Sequence, residues 1–293
     1  VVSTQSTGNF MGAIASNYAF PVDKIPKEKI KIENYYQLLF KDERYDPIFV
    51  ALYEPPELKS DLVMLYIHGN CETVFTVDNL MKLRSRQLGC RIISFDWNGY
   101  GDSPGVPSEE SLIAASFRAM KFIISNLKTN PEKVVVYGRS IGSVGAVAIC
   151  QQFVVRKLIL QSPLASAYDV LFEEPMEVGN MLNNKKIIKY TQSPILIIHG
   201  DKDSIVPMRN SRILLHELMM GDFERYEIEL SPRLRRSDRG AVQFWRMVGG
   251  DHNDLDIWWQ KEILQAVKET FDVDQIQQQQ LSDHSKLNNK LDK

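Results

Sequence analysis

One stretch constrains the chain more than any other: Val134-Val-Val-Tyr-Gly-Arg-Ser-Ile-Gly-Ser-Val-Gly145. Val134 to Tyr137 reads as a short buried strand, and Ile141 to about Gln152 as a helix of small and apolar residues. Between them, Gly138 and Gly142 flank Ser140 at two residues' distance. A strand that turns abruptly into a helix forces the residue at its tip into a left-handed conformation, which costs about 1–2 kcal/mol for a residue with a side chain. Glycines on either side remove the Cβ atoms that would collide in so tight a turn. The hydroxyl of Ser140 then stands above the sheet, where the N-terminus of the next helix offers N–H groups to a developing anion. The spacing alone arises often by chance in a chain of 293 residues, so its meaning rests on the surroundings.

With 44% hydrophobic residues, a chain of this length builds one large core, and α/β domains of this size commonly stand as single units. A net charge of −2 gives no electrostatic footprint for nucleic acid. The three cysteines, Cys71, Cys90 and Cys150, lack paired spacing, which suggests reduced thiols in a reducing compartment. No apolar run reaches the roughly 18 residues of a membrane span, and no secretory leader is visible. The expectation is a cytoplasmic protein, with peripheral membrane association left open by the N-terminus. There Met11-Gly12-Ala-Ile-Ala-Ser16 fits the N-myristoylation pattern, so Gly12 is a lipidation candidate if Met11 is a start; otherwise the match is an internal coincidence.

Residues 1–29 read as an N-terminal extension and 30–271 as the folded domain. Within it, 34–53 suggests two antiparallel strands with a turn near Asp42 to Asp46. Leu62 to Ile67 is a continuous apolar run, the mark of a strand buried on both faces, and it ends in His68-Gly69-Asn70. A helix over Thr76 to Leu88 stops at Gly89, and Arg91 to Asp96 is the next strand. Ser108 caps a helix with apolar positions 112, 113, 117, 120, 123 and 124 on one face. Lys157–Gln161 and Ile195–Ile198 are further buried strands, and Leu255–Phe271 is the last helix. Strands alternating with helices predict a mostly parallel sheet covered on both faces, with chemistry gathered at the carboxyl ends of the strands. Asn70, Ser140 and His199-Gly-Asp-Lys-Asp203 fall at such ends. The stretch 272–293, rich in Gln, Asn and Lys, is expected to be disordered or docked on another protein.

A serine needs a base to take its proton, and the base needs a carboxylate to hold its tautomer. Of five histidines, His68 and His199 precede glycines at strand ends, where a structural role suffices. His216 lies in a helix and His284 in the tail. His252, in Val248-Gly-Gly-Asp-His-Asn253, sits in a loop before the last helix and is the candidate base. Asp203 is the better carboxylate by its spacing to Val206-Pro207, with Asp201 fixing the turn. The order Ser140, Asp203, His252 is that of α/β-hydrolases and differs from the chymotrypsin and subtilisin orders. An oxyanion hole would draw on the N–H groups of Ile141 and Asn70, unless His68-Gly-Asn70 is merely a tight turn.

Leu65-Tyr-Ile-His-Gly-Asn70, Ser94-Phe-Asp-Trp-Asn-Gly-Tyr-Gly101, Tyr137-Gly-Arg-Ser-Ile-Gly142, Gln161-Ser-Pro-Leu164, Ile197-Ile-His-Gly200 and Gly250-Asp-His-Asn-Asp254 occur in this order. Together they resemble the α/β-hydrolase domain-containing protein 17 family of serine depalmitoylases and, more distantly, Bem46-like proteins. The likeness covers about residues 30–271. It implies the α/β-hydrolase fold, a short cap, and a cofactor-free, metal-free serine thioesterase that removes fatty acyl groups from protein cysteines. The implied trio is again Ser140, Asp203 and His252. Three departures stand out: no cysteine precedes Cys71, where animal members carry a palmitoylated cysteine-rich N-terminus; Arg139 stands where the family usually has Gln, a change expected to alter the acyl entrance; and the segment between Gly221 and Gln243 is longer than expected. That segment holds a basic stretch, about 231–240, which reads as a solvated loop or a docking site for an acidic partner.

The cap is expected over about 165–191, with Phe172, Met176 and Met181 as acyl-pocket candidates or ordinary core. The leading functional expectation is a palmitoyl-protein thioesterase acting on S-acylated proteins or acyl esters. The alternatives are a small-molecule carboxylesterase or lipase-like enzyme, and a structural subunit of a large assembly held by its basic loop or tail. Fold and trio cannot separate the first two, because substrate choice lies in the pocket.

Overall fold

The computed structural model describes residues 19–27, 29–40, 46–174, 179–218 and 223–271. Gly12, Met176 and the tail over 272–293 lie outside these residues.

Among the described residues ten strands form one sheet: β1 (Tyr35–Leu38), β2 (Ile48–Tyr53), β3 (Val63–Ile67), β4 (Arg91–Asp96), β5 (Val134–Arg139), β6 (Lys157–Gln161), β7 (Ile195–Gly200), β8 (Glu227–Ser231), β9 (Leu234–Arg239) and β10 (Val242–Met247). Their order across the sheet is β1-β2-β4-β3-β5-β6-β7-β10-β9-β8. The six central strands from β4 to β10 run parallel, and an antiparallel pair closes each edge. The apolar runs are continuous because both faces are covered. Val63, Leu65, Val136, Leu158 and Ile197 point into one core, and Met64, Tyr66, Val135, Ile159 and Ile198 into the other. Each such side chain, fully buried, is worth about 1.5–3 kcal/mol.

Helix α1 (Val74–Leu88) lies on the second face, with α2 (Glu109–Asn126) and α3 (Gly142–Ile149) on the first. Capping boxes at Thr73/Thr76 and Ser108/Ser111 start α1 and α2, and Gly89, at φ 61°, ends α1 as the sequence predicts. Then come the short helices α4 (Ala167–Leu171) and α5 (Asn184–Ile187), α6 (Arg209–Glu217), α7 (Leu255–Trp258) and α8 (260–271). The expected single helix from Leu255 breaks at Trp259, whose ring is buried in the second core and lies under Arg233. Among the described residues no helix is long and apolar enough to cross a membrane.

The basic stretch over 231–240 is not a loop. It supplies the turn after β8 and strand β9, and this hairpin extends the sheet beyond β10. Its arginines are engaged internally: Arg235 pairs with Glu229 at 2.9 Å, Arg236 with Asp238 at 2.8 Å and with Glu269 at 2.9 Å, and Arg233 lies over Trp259. Within residues 19–27, Ala19, Phe20 and Ile25 are buried against the first core.

Candidate active site

Ser140 sits at the turn between β5 and α3 with φ 53°, the strained conformation that the sequence predicts. Its N–H donates to the Gln161 carbonyl at 2.9 Å, which ties the turn to β6. The flanking glycines are demanded by proximity. A Cβ on Gly142 would lie 2.2 Å from the Ile67 carbonyl oxygen, and one on Gly138 would lie 2.7 Å from the Gly142 oxygen. Helix α3 can therefore approach the end of β3 closely, which brings Ile141 beside the loop that follows β3.

Asp203 and His252 come from the loops after β7 and β10, which are adjacent and parallel with Gly200 opposite Met247. Backbone bonds stitch these loops together: Lys202 N–H to the Gly250 carbonyl at 3.0 Å, and Asp201 N–H to the Met247 carbonyl at 3.1 Å. Asp251 Oδ1 adds bonds from the Ser204 N–H at 2.7 Å and the His252 N–H at 2.8 Å. His252 Nδ1 then lies 2.8 Å from Asp203 Oδ2, and His252 Nε2 lies 3.1 Å from Ser140 Oγ. The direction consistent with these contacts is Nδ1–H donating to the carboxylate and Nε2 accepting from the hydroxyl.

Asp203 is buried, yet its carboxyl is held below the ordinary carboxylate range. Burial alone would raise it; hydrogen bonds from His199 and His252 outweigh that. His199, at the end of β7, also takes part: its Nε2 lies 3.2 Å from Asp203 Oδ2 and 2.8 Å from the Val206 carbonyl. Its Nδ1 lies 2.6 Å from Ser211 Oγ. A proton on Nε2 serves both acceptors. The other carboxylate oxygen, Oδ1, accepts the N–H groups of Ile205 at 3.0 Å and Val206 at 2.7 Å. Asp201 instead accepts the Gly249 N–H at 2.7 Å, so it braces the turn.

The loop after β3 carries Asn70, whose amide donates to the Ala19 carbonyl at 2.8 Å and accepts from the Tyr100 hydroxyl at 2.7 Å. Asn70 and Ile141 border the same cavity as Ser140. Glu72 accepts the Gly69 N–H at 2.6 Å and pairs with Arg139 at 2.9 Å. His68, fully buried, meets Asp96 at 3.1 Å and stacks on Trp97.

A cavity of about 660 Å³ opens over Ser140 and His252. Its apolar wall is Leu164, Ala167, Val170, Leu182, Ile205 and Val206. Phe172 and Met181 are not on that wall; both are partly buried against the core. Helix α4 turns its Ala167 and Val170 to the cavity instead, held there by Arg209 and Asn210 of α6, which donate to the Asp169 and Val170 carbonyls. The N-terminal segment contributes Ala19, Pro21 and Lys24 to the rim, which the sequence did not reveal. Of the lysines near it, Lys29 pairs with Asp102. Among the described residues no group of His, Cys, Asp and Glu is placed to hold a metal ion.

The α/β hydrolase fold family matches residues 63–184. The human protein named alpha/beta hydrolase domain-containing protein 17B is 30% identical over 237 residues, 80% of this chain and 74% of that protein. Mouse alpha/beta hydrolase domain-containing protein 17C is 28% identical over 80% of this chain and 66% of its own. A solved esterase from Pyrococcus furiosus superposes with a TM-score of 0.63 at 14% identity, over 84% of this chain and 97% of its own, a likeness of fold. With a sheet of this order, a strained serine at the turn after β5 and this extent of sequence likeness, the chain belongs to the α/β-hydrolase domain-containing protein 17 family.

Proposed function

We propose that the protein is a serine hydrolase that cleaves acyl thioesters or esters, and that its substrates are long-chain acyl groups on protein cysteines. The observation that carries the reading is the continuous relay from Ser140 Oγ through His252 to Asp203 Oδ2, at 3.1 and 2.8 Å, beside an apolar wall. His252 Nε2 takes the hydroxyl proton as Ser140 Oγ attacks the acyl carbonyl carbon. Asp203 remains ionised and holds the imidazolium. The N–H groups of Ile141 and Asn70 meet the oxyanion, the largest share of stabilisation in such a reaction. Collapse breaks the bond to sulfur or oxygen, and the leaving group takes the proton from His252. Water then repeats the sequence on the acyl-serine and releases the free acid.

The acyl chain lies along Leu164, Ala167, Val170 and Leu182, in a cavity within the usual range for small-ligand sites. Turnover of a palmitoyl thioester and of a short-chain ester by the purified protein tests this reading. Greater kcat/KM on the palmitoyl thioester supports it. Faster turnover of the short ester would instead mark a small-molecule carboxylesterase.

A further inference from the structure

The residue before the nucleophile is an arginine whose guanidinium is directed into the protein. Arg139 is 6% exposed, although it borders the cavity. Its Nη1 lies 2.9 Å from Glu72 Oε1, and its Nε lies 3.5 Å from Asp256 Oδ2. Its Nη2 donates to the His252 carbonyl at 3.2 Å and to Asn253 Oδ1 at 3.1 Å. All three nitrogens of the fork therefore face protein acceptors, and the arginine is not poised to bind a substrate anion.

Glu72, His252 and Asn253 belong to the two loops that the proposed chemistry needs. Glu72 closes the turn after β3, because its other oxygen accepts the Gly69 N–H at 2.6 Å, one residue before the Asn70 N–H. His252 and Asn253 belong to the loop that carries the base. Asp256, on α7, is anchored in turn by Arg84 and by the Gln161 amide at 2.9 Å. The rigid, planar, always-charged fork of arginine suits such a hub, and neither lysine nor glutamine reproduces its geometry.

We infer that Arg139 is a positioning residue that fixes the oxyanion turn and the His252 loop relative to Ser140 through one guanidinium, with Glu72 as its obligatory partner on the oxyanion side. This deepens the serine-hydrolase reading and rests on it. The apolar wall lies on other elements, so losing the clamp disturbs the geometry of the transition state more than the binding of the acyl chain. A misplacement of about 1 Å lowers turnover about 10²-fold.

The test compares wild type, Arg139→Gln, Arg139→Lys, Glu72→Gln and the Arg139→Gln/Glu72→Gln double variant. The readouts are the rate of fluorophosphonate labelling, kcat and KM on one acyl thioester, and the thermal midpoint. Both Arg139 variants should lose kcat by about 10-fold or more with KM within about two-fold, and lysine should not rescue. Glu72→Gln should show the same split, and the double variant should be no worse than Arg139→Gln alone, because one contact is removed only once. Unchanged kcat in folded Arg139→Gln and Glu72→Gln, full rescue by lysine, or additive losses in the double variant would overturn the clamp. A failure of the parent reading looks different, since wild type itself would then not label at Ser140.

Discussion

His199 Nε2 lies 3.2 Å from the same Asp203 oxygen that meets His252 Nδ1 at 2.8 Å. One carboxylate oxygen thus faces two imidazoles, one directed to Ser140 and one locked in the core by Ser211 and Val206. His199→Leu removes a donor to an ionised group, worth about 1.5–3 kcal/mol, and should lower kcat/KM about 10–10²-fold. His199→Gln, which can place an amide donor near the Nε2 position, should lose less. Equal losses in the two variants, measured on one substrate, would assign His199 to packing alone.

The same contact has a pH signature. The folded-state pKa of Asp203 is depressed, so the carboxylate contributes stability above its unfolded value, about 4, and that contribution is lost as pH falls toward the folded value. Removing His199 lessens the depression. The stability gap between wild type and His199→Leu should therefore hold from neutral pH down through about pH 4 and shrink only as pH falls below the ordinary carboxylate range, toward the folded values. Denaturant titrations at neutral pH and at the lowest pH where both proteins stay folded check this, and a gap that does not shrink there would contradict it.

Asp203 and Asp201 separate by role. Asp203→Asn leaves His252 without the carboxylate that holds its tautomer, and turnover should fall about 10⁴-fold. Asp201→Asn disturbs a bond to the Gly249 N–H and an ion pair with Arg246 at 3.9 Å, neither of which reaches His252, and should cost about 10-fold or less. Steady-state rates of the two variants decide the matter, and a reversed order would move the carboxylate role to Asp201.

Gly142→Ala places a methyl 2.2 Å from the Ile67 carbonyl oxygen and 2.6 Å from that of His68, both backbone atoms. The helix must shift away from β3, at a cost of about 1–3 kcal/mol or more. Calorimetry should show a lower melting temperature together with lost activity. An unchanged melting temperature would show that the elbow has room to spare.

Ala167 is a small residue on the apolar wall. Ala167→Phe should cut kcat/KM for a palmitoyl thioester by about 10-fold or more while changing that for an acetyl ester by about two-fold or less. A parallel loss on both substrates would place the acyl chain elsewhere.

The parts legible in the sequence were those set by short-range pattern. Continuous apolar runs placed β3, β5, β6 and β7, and the glycines around Ser140 placed the elbow because close backbone approach leaves no other residue type room. Ser140, Asp203 and His252 each carried a local signature, and the structure brings them within hydrogen-bond reach. What escaped depends on loops remote in sequence. Arg139 reaches Glu72, His252 and Asp256 across the sheet, and nothing in its own neighbourhood announces those partners. Strand β9 looks like a loop because Leu234-Arg-Arg-Ser-Asp-Arg239 shows no apolar alternation, whereas the alternation of β8, Glu227-Ile-Glu-Leu230, is a strand signal that the reading of this segment as a loop passes over. The cavity wall escaped too, because the backbone turn at α4, not side-chain chemistry, decides whether Ala167 or Phe172 faces the cavity.

If Ser140, activated by His252, is the acyl acceptor, acyl transfer from a palmitoyl thioester will show it when quenched early and read by intact mass and peptide mapping in wild type and Ser140→Ala. Wild type should carry a palmitoyl adduct on Ser140 that water removes. Ser140→Ala should show neither adduct nor turnover, with an unchanged fold. Turnover retained by Ser140→Ala, or an acyl group mapped to another residue, would contradict that role of Ser140.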